Sequence, residues 1–217
     1  MSVIQSLNDE YQRYKALAEA AIAQVGDEEL GTAGGDGANS IEMLVRHIAG
    51  NLKSRFTDFR TSDGEKPWRH RDDEFESTSV TRGELLQIWD DGWSVLFREI
   101  GMLSDADLSA TVTVRNQPLR IDEALHRSLA HVAYHVGQIV FMAKAMRGGA
   151  WQTLSIPRGK SEEYNRAASS ETAAAHTAKL GKLSSKTCRH SVVSGFSRTD
   201  QPLMRGGVRD RAQRHRR

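Results

Sequence analysis

Leu129-Ala-His-Val-Ala-Tyr-His-Val-Gly-Gln-Ile-Val-Phe-Met142 is the stretch whose reading decides the fold. It lies in a run from Leu125 to Met146 with few helix breakers before Gly148-Gly149, and Asp122 is placed to cap its start with Glu123 in the first turn. At helical spacing Leu125, Leu129, Val132, Val136, Ile139, Val140 and Ala143 cover most of the circumference. A helix that apolar is expected inside a bundle. His131 and His135 nevertheless stand four residues apart, one turn above the other, and Gln138 and Met142 continue their stripe. Two imidazoles at that spacing converge on one metal ion in helical His-x-x-x-His sites. The spacing alone also fits two core histidines that merely hydrogen-bond, so the rest of the chain has to supply further ligands.

Working outward, three more helices are expected. The first runs from about Val3 to Val25, with Ile4, Leu7, Tyr11, Tyr14, Leu17, Ala21, Ile22 and Val25 on one stripe. Gly26 and the glycines from Gly31 to Gly37 end it. Asn39 or Ser40 caps the second, whose core face is Ile41, Leu44, Val45, Ile48, Leu52, Phe56 and Phe59. His47, Asn51 and Arg55 form a polar line beside that face, and His47 is the third candidate ligand. Thr81-Arg-Gly-Glu84 reads as a capping box that opens the third helix through Leu85, Trp89, Trp93, Leu96 and Ile100. Thr111 to Val114 and Pro118 to Ile121 flank Arg115-Asn116-Gln117 and are expected to pair as a short hairpin. Thr61 to Ser79 has no period and reads as a long connection, with Pro67-Trp68 and Phe75 expected to pack on the body.

The net charge of +2 hides a split between the two parts of the chain. Residues 1–166 carry 19 Lys and Arg against 25 Asp and Glu, a balance of −6, whereas residues 167–217 carry 11 against 3, a balance of +8. The first part is therefore a mildly acidic helical domain with no argument for nucleic-acid binding. The second, with no sustained apolar face, is expected to be a disordered basic tail ending in Arg205, Arg209, Arg211, Arg214, Arg216 and Arg217. The mean hydropathy of −0.54 is low for a fully packed chain of this size, and no apolar run approaches membrane-spanning length. The single Cys188 makes no internal disulfide, and the N-terminus lacks a basic, then apolar, leader. A soluble cytoplasmic protein is expected.

Among the remaining histidines, His126 precedes His131 by five residues, about 140° around the helix, and reads as surface. His70 sits in the long connection and could approach the site, but nothing fixes it there. Taken together, Leu44-Val-Arg-His-Ile-Ala-Gly-Asn51 and Leu129-Ala-His-Val-Ala-Tyr-His-Val-Gly-Gln-Ile139 resemble the DinB/YfiT-like metal-binding helical superfamily, and Asp63-Gly-Glu-Lys-Pro-Trp-Arg69 is similar to a loop of one of its uncharacterised subfamilies. The resemblance covers about residues 1–166. It implies an all-α four-helix bundle with a long crossover connection, a divalent metal held by His47, His131 and His135, and often a homodimer.

Three neutral imidazoles leave at least one coordination position open, as in catalytic zinc sites. Zinc or nickel is expected, and iron or manganese also suits such donors. Asn51 and Gln138 are candidates for orienting ligands or water, and Arg55 for meeting a substrate carboxylate. Arg69 and Arg71 are weaker candidates. Tyr134 and Met142 read as core. Relatives of this kind resemble thiol S-transferases or metal-dependent hydrolases, so the expectation is activation of a small thiol, with hydrolysis second. A non-enzymatic binding protein is the rival class. No Glu or Asp stands on the histidine stripe to act as a general base, and that favours transfer.

Overall fold

The computed structural model describes residues 2–167 and 171–193, with side chains described as far as residue 183. Its helices are α1 (Val3–Ile22), α2 (Ile41–Phe56), α3 (Arg82–Gly101), α4 (Ile121–Arg147), α5 (Ser161–Ala167) and α6 (Ala173–Val193). Strands β1 (Thr111–Val114) and β2 (Gln117–Arg120) pair antiparallel just before α4. The fold is the expected helical bundle with a crossover connection and a hairpin.

Local chemistry explains where the helices start. The Ser40 hydroxyl accepts the Met43 N–H to open α2. Thr81 and Glu84 close the capping box at α3, with the Glu84 carboxylate accepting the Thr81 N–H. The start of α4 differs from the expectation. Arg120 is its N-cap, because Glu123 accepts the Arg120 N–H at 2.8 Å, and Asp122 is already inside the helix, paired with Arg120.

The buried face of α2 is broad, taking in Leu44, Val45, Ile48, Leu52 and Phe56, and α2 packs most closely on α3. Gly92 makes that approach possible. A Cβ there would lie 2.7 Å from the Cα and the carbonyl oxygen of Ala49, so the two backbones touch with no room for a side chain. Trp89 and Trp93 fill the volume on either side, fully buried. On the other flank α4 lies along α1, tied by the Tyr11 hydroxyl, which donates to the Leu125 carbonyl at 2.8 Å. Not all of α4 is enclosed. Leu125, Val132, Val136, Ile139 and Ala143 are buried, but Tyr134 and Phe141 are 64% and 73% exposed, so Tyr134 is not a core residue as expected; Met142 packs, partly buried, against the core.

The hairpin turns through Arg115 and Asn116, both at positive φ, as a two-residue turn between twisted strands requires. Asp63 holds this turn: its carboxylate accepts the N–H groups of Arg115 at 2.8 Å, Asn116 at 2.7 Å and Glu65 at 2.7 Å. Next to it the Gly64 N–H donates to the Thr113 carbonyl at 2.8 Å, and the Gly64 carbonyl accepts from Ser54 on α2. The long connection is thus clamped between α2 and the hairpin. Phe75 packs on it as expected, against His47. Trp68 does not; it is 48% exposed beside Lys53.

Beyond Arg166 the structure differs from a tail without packing. Helix α6 lies along α1, with Leu180 fully buried and Leu183 partly so. The basic run from Arg205 to Arg217 lies outside the described residues. No helix among the described residues is long and apolar enough to cross a membrane.

The α2–α3 contact sets a testable expectation. Gly92→Ala places a methyl group against rigid backbone, and it should destabilise the protein by about 1–3 kcal/mol despite the better helix propensity of alanine. Urea unfolding followed by circular dichroism measures this, with Gly101→Ala, where a Cβ meets open space, as the control.

Candidate metal centre

His47 on α2 and His131 and His135 on α4 are brought together by the packing of those two helices. One ring nitrogen from each lies within 4.8 Å of the others. The Nε2 atoms of His47 and His131 approach to 3.1 Å, and the three rings meet edge to face with centroids 4.6 to 5.1 Å apart. His126 is exposed, as expected, and hydrogen-bonds the Asp122 carbonyl, whereas His70, which could have approached the site, is exposed and outside the cluster.

Two of the rings are oriented from behind. His47 Nδ1 lies 2.8 Å from the Glu74 carboxylate, and His135 Nδ1 lies 2.7 Å from the Gln138 side-chain oxygen. Both acceptors call for a proton on Nδ1, which leaves Nε2 as the lone-pair nitrogen. Burial, then the neighbouring His135 and His47, push the His131 pKa down to about 4, so its ring is neutral at pH 7. Burial also lowers the pKa of His135, against the opposing bond to Gln138. Neutral imidazoles that share one point are the donor set a divalent metal uses, and the His131 Nδ1 is buried without a partner among the described residues. The chemistry of the three side chains fits a metal ion.

Glu74 is the residue that sequence reasoning missed. It comes from the aperiodic connection, and its only sequence signal was an acidic run, Asp72-Asp73-Glu74, too common to single out. Arg69 holds it with two bonds of 2.8 and 2.9 Å. Burial alone would raise the Glu74 pKa, but the bonds from His47 and Arg69 outweigh it and keep the carboxyl below its usual range. The carboxylate reaches His47 across Gly50: a Cβ at that position would stand 2.2 Å from Glu74 Oε1.

The other sequence candidates fall in different places. Asn51 and Arg55 line a cavity of about 210 Å³ that opens beside His47 and His131. Arg55 bonds the Gly64 carbonyl at 2.6 Å and the Glu65 carboxylate at 3.2 Å. Burial lowers its pKa and Glu65 opposes the shift. Gln138 is not in the cavity wall and reaches the cluster only through His135. Arg71 stacks on Phe75, its guanidinium 4.9 Å from the ring centre.

Compared with known families, residues 1–160 match the model of DUF1572, described as a protein of unknown function. No curated protein and no solved structure matches the chain. Helix α6 lies outside the matched residues.

Substitutions at Gly50 and Glu74 test the hold on His47 from both of its parts. Glu74→Gln, which weakens the hold on His47, should lower zinc affinity by about 10–100-fold, measured by competition with a chromophoric chelator. Gly50→Ala should lower it in the same range by displacing the carboxylate. The same substitution favours the helix by roughly 0.5–1 kcal/mol. Unchanged zinc affinity in both variants would mean that Glu74 does not support the site.

Proposed function

The chain belongs to the DUF1572 family, which is associated with the DinB/YfiT-like metal-binding four-helix bundles, and we propose that it is a metal-dependent enzyme that activates a small thiol for S-transfer. The observation that carries this reading is the meeting of a three-histidine cluster and a cavity, with His47 and His131 in the cavity wall. A divalent metal held by three imidazoles supplies a Lewis-acidic position that lowers the pKa of a bound thiol or water. Zinc or nickel suits the nitrogen donors best, and iron or manganese is compatible with them.

The chain's own residues then have distinct tasks. His47, His131 and His135 hold the ion, and Glu74 and Gln138 keep two of those rings in the required tautomer. Asn51, one turn from His47, offers its amide to the cavity for positioning the sulfur. Arg55, fixed by Glu65 and the Gly64 carbonyl, contributes positive charge to the same wall. Hydrolysis is the second reading. It calls for a general base, and Glu74 is already engaged by His47 and Arg69, while no carboxylate among the described residues lines the cavity. Transfer to a thiol, whose metal-bound form needs no such base, is therefore preferred.

Metal-loaded protein assayed with a panel of small thiols and a generic electrophile, beside ester and amide substrates, tests this. Thiol-dependent turnover that disappears in His131→Ala is the expected result. Turnover of esters without thiol would reverse the order of the two readings, and no turnover of any substrate would return the protein to the non-enzymatic binding class.

A further inference from the structure

The cavity wall has a charge imbalance that the metal centre does not use. Arg55, Arg69, Arg71, Arg115 and Arg127 all line it. Two buried or half-buried carboxylates answer them. Glu65 is shared by Arg55 and by Arg115, the latter at 2.8 Å, and Glu74 is held by Arg69 and His47. Among the described residues Arg71 has only the exposed Asp72 as an acidic partner, at 3.4 Å. Arg127, on the turn of α4 before His131, has no acidic partner among the described residues. Interleaved with these charges are apolar residues, the half-buried Val114 and Leu119 and the buried Phe56, Phe59 and Ala124.

Resting on the reading of this cavity as the substrate site, we propose that it takes a compact amphipathic organic anion, with Arg127 as the principal contact for its anionic group and the half-buried Val114 and Leu119 against its apolar body. Guanidinium groups bind carboxylate and phosphate through paired N–H donors, and an arginine without an internal acid is the one free to do so. The volume of about 210 Å³ is below the usual range for drug-sized ligands, which limits the occupant to something near the size of one substituted ring. Arg55 and Arg69, singled out by position on the sequence, are already neutralised by Glu65 and Glu74; the exposed Arg127 is the better hook.

The probes are 3-phenylpropionate, its uncharged amide 3-phenylpropionamide, benzyl phosphate and inorganic phosphate, titrated calorimetrically into the full-length protein. Phenylpropionate or benzyl phosphate should bind at least about tenfold more tightly than the amide, and Arg127→Gln should remove about tenfold of that preference while leaving amide binding unchanged. If the acid were bound only by a metal ion, Arg127→Gln would leave the preference intact, and that result would overturn the proposal. Equal binding of acid and amide would do the same, as would inorganic phosphate binding as tightly as benzyl phosphate. His135→Ala separates this from the metal reading, because His135 supplies a ligand but does not line the cavity. Retained preference for the anion in that variant, alongside lost metal, supports the subsite independently; loss of both would tie the preference to the ion and count against Arg127.

Discussion

The contact between the Glu74 carboxylate and His47 depends on a missing side chain. Only a glycine at position 50 lets the carboxylate lie over the backbone of α2, one turn from the histidine it orients. That constraint adds to the Ser54–Gly64 bond and the Phe75–His47 contact in tying an aperiodic connection to an amphipathic helix. Arg69 completes it by satisfying the other side of the carboxylate, so that the buried charge is paired on both flanks. At the neighbouring residue, Ala49, Gly92 lets α3 close against the backbone of α2. The site is thus positioned by two close approaches to one helix.

Three imidazoles within a helical bundle are an awkward interior. Protonated, they would repel one another in a region with little water, which is why burial and mutual proximity hold His131 in its neutral form. Neutral, each still has one nitrogen that needs a donor or a cation. Glu74 and Gln138 satisfy the outer nitrogens of two rings, and the inner nitrogens crowd together. A divalent metal ion bound by the three rings would relieve that crowding. The arginines of the neighbouring cavity wall would add their positive charge to that of the ion.

Much of this was legible in the sequence, for reasons particular to each residue. Helical spacing placed His131 and His135 on one stripe, and the polar line on α2 supplied His47. Ser40, Thr81 and Glu84 announced their helix starts because capping is local chemistry. Glu74 was not legible, since its reach depends on the path of an aperiodic segment and on the space over Gly50. Arg127 was passed over because it stands on the polar side of an otherwise apolar helix, where a solvated arginine is the ordinary case. The cap of α4 was misplaced by two residues, as Glu123 bonds back to Arg120 rather than leaving the start to Asp122. Helix α6 buries little beyond Leu180 and Leu183 in its described part, so its sparse apolar pattern read as no pattern at all.

The central claim is that three histidines from two helices hold one metal ion. Elemental analysis of protein purified without a polyhistidine tag and loaded with zinc, nickel, iron or manganese tests it most directly. Near-stoichiometric metal in the wild type and in His126→Ala, with loss in His47→Ala, His131→Ala and His135→Ala, is the predicted result. Absence of bound metal after loading with all four ions, or its retention in the three ligand variants, would contradict it.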